Sequence, residues 1–445
     1  MLPSTELLRR LDIPGPRYTS YPTVPVWSER FGPEEHGRAL ARAGSSGPDA
    51  PLSIYVHIPF CRELCTYCGC NVVITRDAGK VERYLAAIAD EAVLVAERLG
   101  ARRSVSRVHL GGGTPTFLDE KQLFSLWMAL TGPFQLREDA EQAVEINPVV
   151  TRPSQLALLA ELGFQRLSMG VQDFEPSVQA VIGRVQTVEQ TRAMMESARA
   201  LGYRSINLDL IYGLPRQTKE TVRASVRKVI ELGPDRVAAF SFAFVPAVRP
   251  HQRRLPVADL PSGPDKLALF GVIRDELTAA GYRAIGMDHF ALPSDELATA
   301  AAAHTLGRDF QGYTVERAPH TVAFGVSGIS DLGDAYAQNV KSLSQYERAI
   351  ADGRLATERG VVLDEDDQLR RQIIERLMCD FSVELDARRF APELARLRDH
   401  ARDGLVELDG GRITITPLGR LFVRNVAMVF DAYLDGGEAR FSQTV

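Results

Sequence analysis

The sequence lacks several features that would assign it to common classes of protein. None of its 445 residues belong to an apolar run long enough to span a bilayer, and the first residues contain no apolar signal-peptide core. The net charge is −5, so no basic excess indicates nucleic acid or an acidic membrane surface as a partner. We therefore expect a cytoplasmic protein without a nucleic-acid or membrane partner.

Phosphate-binding glycine motifs are also missing. The glycine-rich segment at residues 111–116 (GGGTPT) has neither the GxGxxG spacing nor a following Gly-Lys-Ser/Thr. Three consecutive glycines still allow a ligand to approach the backbone closely. The exposed N–H and C=O groups would suit the amine and carboxylate of an amino acid. A tight turn between a strand and a helix is the alternative.

Cysteine is scarce, but its distribution is informative. Four of the five cysteines lie in residues 57–70 (HIPFCRELCTYCGC), a clustering that excludes a secreted disulfide framework and indicates a metal or redox site. Cys61, Cys65 and Cys68 can present three thiolates from one loop to an iron–sulfur cluster, which usually takes four. Three ligands leave one iron open, as chemistry on a metal requires. The alternative is zinc, with Cys70 or His57 as the fourth ligand.

Short apolar runs alternate with stretches of helical periodicity along most of the chain. The runs predict strands at 53–58, 105–110, 142–146, 165–169, 205–211 and 236–242. Helices are predicted at 80–99, 121–130, 153–162, 188–201, 219–232 and 265–280. This order predicts an α/β fold with a parallel sheet, as a partial (β/α)6 TIM-like barrel or as a doubly wound open sheet. Polar or glycine-rich residues follow each strand, which favours the barrel.

We expect four parts in the chain. Residues 1–48 are an N-terminal arm and linker, in which Pro14, Pro16 and Pro22 prevent long helices. Residues 49–290 form the barrel, and 291–356 contribute loops and helices that complete it. Residues 357–445 form a small, mostly helical domain that is winged-helix-like, with a hairpin at 404–415 and a last helix at 420–433. The loops 286–290 (GMDHF) and 309–313 (DFQGY) are expected to return to the barrel cavity.

Charged residues near the strand ends are candidates for binding. Glu145 and Asp209 need a cation, an amine or ribose hydroxyls if they are buried, although a structural ion pair would also satisfy them. Arginines match carboxylates, so an acidic substrate has four candidate partners: Arg17, Arg249, Arg253 and Arg254. Cys379 lies in an apolar helix and is expected to be a buried thiol.

The cysteine spacing followed by GGGTPT resembles the radical S-adenosylmethionine (SAM) superfamily. Further motifs resemble one family within it, the oxygen-independent coproporphyrinogen III oxidases (coproporphyrinogen dehydrogenases). They are GPRYTSYPT at 15–23, YVHIPF at 55–60, RLSMGVQDF at 166–174, NLDLIYGLP at 207–215, GMDHF, DFQGYT, YAQN at 336–339, and the pairs 419–420 and 424–425. The resemblance covers nearly the whole chain.

This resemblance implies an enzyme of heme biosynthesis with a [4Fe–4S] cluster and SAM. A 5′-deoxyadenosyl radical would drive the anaerobic oxidative decarboxylation of two propionates of coproporphyrinogen III to vinyl groups, giving protoporphyrinogen IX. It further implies a reduced electron donor such as flavodoxin, and we expect a monomer. The departure of residues 241–249 (SFAFVPAVR) from the family pattern leaves substrate contacts there unassigned.

The resemblance also implies roles for individual residues. The cluster ligands would be Cys61, Cys65 and Cys68, with the role of Cys70 open. A first SAM would contact Tyr55, Gly112, Glu145 and Ile329, and a second SAM would contact Tyr67, Gly113, Thr114, Gln172, Arg184, Asp209 and Ala243. Phe310 and Gln311 would lie near the cofactors, and the arm with Arg17 is hypothesised to cover the barrel mouth.

Three other functions are compatible with parts of the pattern. A heme-binding paralogue without oxidase activity would typically lack the CGC ending and the GPRYTSYPT arm, and this chain has both. A radical methylase would use two SAM molecules for methyl transfer. A zinc-bound scaffold without catalytic activity is the third.

Overall fold

The structure is a computed structural model that describes residues 3–315, 318–434 and 441–444. Its strands, in chain order, are β1 (Leu52–Ile58), β2 (Phe60–Cys61), β3 (Val73–Ile74), β4 (Ser104–Gly112), β5 (Gln135–Ile146), β6 (Arg166–Gln172), β7 (Ser205–Tyr212), β8 (Arg236–Ser241), β9 (Arg283–Ile285), β10 (His289–Ala291), β11 (Gly307–Asp309), β12 (Gly312–Thr314), β13 (His320–Phe324), β14 (Ile329–Asp331), β15 (Ala335–Asn339), β16 (Thr357–Val362), β17 (Ser382–Glu384), β18 (Val406–Asp409) and β19 (Arg412–Ile415).

The helices surround and extend this sheet. They are α1 (Thr5–Leu11), α2 (Pro33–Gly44), α3 (Ala78–Leu99), α4 (Glu120–Thr131), α5 (Pro153–Glu161), α6 (Pro176–Ile182), α7 (Val188–Ala200), α8 (Lys219–Leu232), α9 (Gly263–Ala279), α10 (Glu296–Ala302), α11 (Leu343–Ala351), α12 (Glu365–Asp380), α13 (Ala391–Arg402) and α14 (Val423–Met428). The six helices predicted between residues 80 and 280 are confirmed as α3, α4, α5, α7, α8 and α9.

The six predicted strands are also confirmed, and they are parallel neighbours. The sheet has the order β16-β15-β14-β13-β1-β4-β5-β6-β7-β8-β10-β9. Strands β1 and β4 to β8 run parallel to one another, and β13 adds a seventh parallel strand on the other edge of β1. The sequence did not predict β13, nor the antiparallel strands that extend both edges.

The sheet curves into a partial barrel. Among the described residues, β1 and β8 are not hydrogen-bonded to each other. The loop after β1 and the end of β8 nevertheless line the same cavity, together with the carboxyl ends of β4 to β7. Alternate residues of β4 to β8 also line a second, interior chamber, as expected when one face of a strand series turns inward. This arrangement favours the predicted partial barrel over the doubly wound sheet.

The N-terminal arm is more helical than the sequence predicted. Helix α2 has 12 residues and begins with Pro33 at its first turn, where the missing N–H has no partner to lose. Its buried face, with Ala39 and Leu40, contacts α3 and β16. The three prolines at 14, 16 and 22 all precede this helix, so they do not interrupt it.

The C-terminal part contains a three-stranded antiparallel sheet in the order β17-β19-β18, with α12 and α13 beside it. The predicted hairpin is present as β18 and β19. The predicted last helix at 420–433 is wrong, because a 3-10 turn (Gly419–Phe422) and the short α14 replace it. After Met428 the backbone forms tight turns, and these place Asp431 where it accepts a hydrogen bond from Tyr18 Oη at 3.0 Å.

Arg424 of α14 connects the arm to the C-terminal part. Its guanidinium is buried and donates to the carbonyl of Pro16 at 2.8 Å, to that of Gln443 at 3.0 Å, and to that of Gly15. Burial lowers the pKa of Arg424 to about 10. One side chain therefore satisfies carbonyls from two distant segments at once.

No helix among the described residues combines the length and the apolar character that crossing a bilayer requires.

Replacing Arg424 should detach the arm. We expect Arg424→Met to lower the free energy of unfolding by about 3 kcal/mol, because it leaves buried carbonyls without donors. Urea unfolding and limited proteolysis of the arm measure the effect. The control is Arg412→Met, at an exposed position of β19. Equal stability of the two variants would contradict this role of Arg424.

Candidate active site

The cysteines lie in a loop that follows β1 at the carboxyl end of the sheet. This loop, residues 59–72, is called the cluster loop below. Cys61, Cys65 and Cys68 are partly buried free thiols, Cys70 is exposed, and all four line a cavity of about 600 Å³. Burial raises the pKa of the Cys61 thiol to about 11 and also raises that of Cys65. Metal binding must therefore displace protons from these thiols.

The thiol arrangement fits an iron–sulfur cluster. Among the residues that the structure describes, no three histidine, cysteine, aspartate or glutamate side chains converge closely enough for one metal ion. Cys61, Cys65 and Cys68 line one cavity, and cysteine thiolates from one loop are the ligands that iron–sulfur clusters take. His57 is not free to be a fourth ligand, because its Nε2 contacts the Asn71 carbonyl at 2.9 Å and its Nδ1 contacts Tyr55 Oη at 3.1 Å.

The cluster loop is held by its neighbours on several sides. The Thr66 N–H donates to the Ile182 carbonyl and its hydroxyl donates to the Val181 carbonyl, both at 3.0 Å, at the end of α6. On another side, Gln252 Nε2 donates to the Tyr67 carbonyl at 3.0 Å and to the Ala243 carbonyl at 3.2 Å. Gln252 thereby connects the cluster loop, which follows β1, with the segment that follows β8.

Close packing requires glycine at the end of β4. A Cβ on Gly112, whose φ is +111°, would lie 2.6 Å from the His57 ring, and one on Gly113 would lie 2.7 Å from the backbone of Pro59. Their amides are used inside the protein: the Gly112 N–H donates to Glu145 Oε2 at 3.2 Å and the Gly113 N–H to the Ile58 carbonyl at 2.8 Å. The sequence suggested that these amides are exposed to a ligand. In the structure both N–H groups donate to acceptors within the protein and hold the site together.

Glu145, at the end of β5, is kept ionised at the floor of the cavity. Burial alone would raise its pKa. The hydrogen bond from His109 Nε2 at 3.0 Å, the charge of that imidazole and the Gly112 N–H together bring the pKa of Glu145 below its ordinary value. A carboxylate with this support is suited to accept a hydrogen bond from a ligand ammonium group.

Asp209, on β7, is the second carboxylate at this floor. Burial and, to a smaller extent, the charge of Glu145 raise its pKa to about 7. Its oxygens accept hydrogen bonds from Asn207 Nδ2 at 2.7 Å and from Ser168 Oγ at 3.2 Å. Two neighbouring carboxylates with different proton affinities can bind both a cationic group and hydroxyl groups.

Gln172 and Arg184 form another wall. The ladder between β6 and β7 shifts by one residue before Gln172, which has a φ of +69°, in the left-handed region that non-glycine residues seldom adopt. Arg184 Nη2 donates to the Gly170 carbonyl at 2.5 Å, whereas its buried Nε has no hydrogen-bond partner among the described residues. An orphaned guanidinium nitrogen at the cavity is consistent with an absent anionic or hydroxyl ligand.

The structure brings most predicted site residues to the main cavity. Besides the four cysteines, these are Tyr67, Gly112, Gly113, Thr114, Glu145, Gln172, Arg184, Asp209 and Ala243. Gln311 lines the adjoining interior chamber of about 280 Å³, which shares Glu145 and Asp209 with the main cavity. Their ligand contacts remain predictions.

The other predicted residues do not line the main cavity. Tyr55 stacks on His109 and contacts His57 instead. Phe310 and Ile329 pack with Trp27 and Tyr336 in a separate apolar cluster. Arg17 forms an ion pair with Asp288 of the GMDHF loop at 2.6 Å and lies over the ring of Phe240, which lines the main cavity. That the arm covers the barrel mouth stays a prediction.

The sequence did not identify two residues that support the site and the strands around it. His109 lies on the inward face of β4, two residues before the glycines, and strand alternation could have identified it. Glu91 of α3 is buried, accepts from Gly325 N–H, Asn339 and Tyr346, and so orders the turn after β13. Burial raises the pKa of Glu91 to about 7, and nothing in its helical context indicates this role.

Comparison with known proteins gives consistent results. The model of the radical SAM superfamily matches residues 55–229, and the model of the HemN C-terminal domain matches residues 363–422. The chain is 45% identical to the oxygen-independent coproporphyrinogen III oxidase of Pseudomonas aeruginosa, over 99% of this chain and 98% of that protein. Identity to the Escherichia coli K12 protein of the same name is 44%, over 96% and 95%.

A solved structure is similar over nearly the whole chain. It is the coproporphyrinogen III oxidase (HemN) from Escherichia coli, described as a radical SAM enzyme. The TM-score is 0.91 at 43% sequence identity, with 97% of this chain and 99% of that chain covered.

The glycine packing predicts a specific sensitivity. Gly112→Ala should lower the free energy of unfolding by about 2–4 kcal/mol and reduce iron content after reconstitution. The new Cβ would collide with the His57 ring, and the positive φ at this position would be strained for alanine. Gly69→Ala, in open space within the cluster loop, is the matched control and should keep both properties. Full iron content in the Gly112 variant would refute this explanation.

The raised pKa of Asp209 predicts a pH-dependent effect on the cluster-free protein. The unfolded carboxyl titrates near ~4 and the folded one at about 7, so wild-type stability falls as pH rises between these values. Asp209→Asn removes this loss and should be more stable than wild type by about 1 kcal/mol at pH 8, with a smaller advantage at pH 5. Urea unfolding measures it, with exposed Asp49→Asn as the control. A pH-independent difference would contradict the raised pKa.

Proposed function

The chain belongs to the family of oxygen-independent coproporphyrinogen III oxidases within the radical SAM superfamily, and from this premise we propose how its residues carry out the reaction of that family. Two propionate side chains of coproporphyrinogen III become vinyl groups, giving protoporphyrinogen IX in heme biosynthesis. The family implies a [4Fe–4S] cluster and SAM. The observation that supports the proposal most strongly is the convergence of three thiols and two carboxylates on one cavity.

Cys61, Cys65 and Cys68 would hold the cluster and leave one iron for SAM. When bound and reduced, this pair of cofactors supplies the 5′-deoxyadenosyl radical that removes a hydrogen atom from the propionate. The protein contributes binding, orientation and exclusion of water. Thr114 Oγ1 lies 3.5 Å from Cys61 Sγ, so the glycine-rich segment also orients one of the thiols.

Glu145 would accept a hydrogen bond from the amino group of the SAM bound to the open iron. Its ionisation, which His109 and Gly112 maintain, gives this contact a full negative charge. Gly112, Tyr55 and Ile329 would contact the same SAM molecule. Of these three residues, Gly112 lines the cavity, whereas Tyr55 and Ile329 would have to move toward it when SAM binds. The Tyr55 ring packs against the rings of His57 and His109. Tyr55 would therefore help to position His109, which donates a hydrogen bond to Glu145.

A second SAM would occupy the part of the cavity bordered by the ends of β6, β7 and β8. Its partners would be Tyr67, Gly113, Thr114, Gln172, Arg184, Asp209 and Ala243. Asp209 suits ribose hydroxyls and Arg184 suits a carboxylate. A volume of about 600 Å³ lies within the range of sites that enclose whole cofactors.

Cys70 is proposed to stand apart from the three ligands. It is exposed, and its contact with Cys68 brings the pKa of the Cys68 thiol down to about 7. We further propose a monomer that takes its electrons from a reduced, low-potential carrier such as flavodoxin. Gln311 would act from the interior chamber that it lines, and Phe310 from the neighbouring apolar cluster.

Anaerobic turnover tests this function. The reconstituted protein, given coproporphyrinogen III, SAM and a reductant, should release two molecules of carbon dioxide per protoporphyrinogen IX formed. Cys65→Ser should lose both the cluster and turnover. Cys379→Ala, a buried thiol outside the cavity, is the matched control and should retain both.

The same assay separates the alternatives. Methylated product would indicate a radical methylase, and heme binding without carbon dioxide release would indicate a heme-binding paralogue. Cys70→Ser should keep the cluster. Its loss in that variant would show that Cys70 is a ligand.

A further inference from the structure

A short basic segment lies directly on the cluster loop. Residues 249–254 (Arg-Pro-His-Gln-Arg-Arg), called the basic segment below, follow β8 and contain the 3-10 helix Pro250–Arg254. Arg249 Nε donates to the Gly69 carbonyl at 2.9 Å, and His251 Nε2 contacts the Cys68 carbonyl at 2.8 Å. With Gln252 on the Tyr67 carbonyl, three side chains hold three consecutive carbonyls of the cluster loop.

The remaining arginines of this segment face solvent. Arg253 and Arg254 are exposed, and neither they nor Arg249 form an ion pair with a carboxylate of the described residues. The whole chain carries a net charge of −5, so this segment is a local concentration of positive charge on a protein that is negative overall. Val248, at 67% exposure, adds apolar surface beside the arginines.

Neither Arg253 nor Arg254 lines the main cavity or the interior chamber. Both are exposed, whereas the thiols of the cluster loop line the main cavity. A substrate carboxylate in the cavity would therefore not meet them. Arginine beside exposed apolar groups is instead typical of protein interfaces, and clustered positive charge speeds the encounter with an acidic partner.

We propose that the basic segment is the docking surface for an acidic electron-carrier protein that delivers one electron to the cluster. This inference rests on the proposed function, which requires a reduced cluster. One electron leaves the reduced cofactor of the carrier and enters the cluster, and the carrier is released oxidised by one electron. Because electron transfer slows steeply with distance, a carrier seated over Cys68 and Gly69 is placed where transfer is fast.

The test uses the reconstituted holoenzyme and two reductants. One is reduced flavodoxin, an acidic flavin protein, and the other is photoreduced deazaflavin, a small neutral molecule. The variant is Arg253→Glu/Arg254→Glu, and the matched control is Arg388→Glu/Arg398→Glu, two exposed arginines of the C-terminal part. Stopped-flow absorbance measures the rate of cluster reduction at low and high salt.

We expect the Arg253/Arg254 variant to be reduced by flavodoxin about tenfold more slowly than wild type at low salt, with the difference shrinking as salt screens the charges. Its reduction by deazaflavin, its iron content and its cluster spectrum should be unchanged. The control variant should match wild type with both reductants.

Three outcomes would overturn the proposal. They are equal flavodoxin rates for all three proteins, an equal loss in the control variant, and a raised KM for coproporphyrinogen III in the deazaflavin-driven reaction, which would assign these arginines to the substrate. Failure of the proposed function itself is distinguishable, since wild type would then give no vinyl product even with deazaflavin.

Discussion

Glu145 carries the negative charge on which the floor of the main cavity depends. Its two oxygens accept from His109 and from the Gly112 N–H, and its charge raises the pKa of Asp209. Space beside it exists only because residue 111 is glycine, since a Cβ there would lie 2.8 Å from Glu145 Oε1. One ionised carboxylate thus links the glycine-rich segment, the inward histidine of β4 and the second carboxylate of β7. A cavity with three thiols on one side and this charge on its floor is matched to a cationic ligand that also reaches a metal cluster.

Apart from the two-residue strand β2, the cluster loop has no regular structure, and its position comes from contacts that surround it. The end of α6 holds Thr66, the glycine-rich segment holds Pro59 and Cys61, and the basic segment holds the carbonyls of residues 67 to 69. Tyr84 Oη donates to the His57 carbonyl at 2.7 Å and connects the start of the loop to α3. These contacts connect the cluster loop to α6, to α3 and to the segment after β8. Side-chain hydrogen bonds therefore position a loop that has little regular structure of its own.

Local patterns were sufficient for the repeating part of the fold. Each barrel strand and helix has its own periodicity, so all six units could be located. Strand β5 begins seven residues earlier than predicted, at Gln135 and not at 142, because its first residues include exposed Arg137, Glu138 and Asp139 and show no apolar alternation. Strand β13 was missed because it is short and pairs with β1 from a distant part of the chain. The motif-bearing residues of the cavity followed from the resemblance, whereas Gln252, although only 1% exposed, sits in a polar segment whose sequence gives no sign of burial. The positions of Ile329, at the start of β14, and of Arg17, in the N-terminal arm, depend on packing between segments that are far apart in the chain. Sequence alone could not place them.

The central claim is that three cysteines hold a cluster whose open iron binds SAM beside Glu145. Electron–nuclear double resonance on the reduced, reconstituted protein tests it most directly, with SAM isotopically labelled at its amine nitrogen and carboxylate oxygen. We expect hyperfine coupling of both labels to the cluster in wild type, and its loss in Glu145→Ala despite an intact cluster. Absence of coupling in wild type with SAM bound would contradict the account, because the open iron would then serve another ligand.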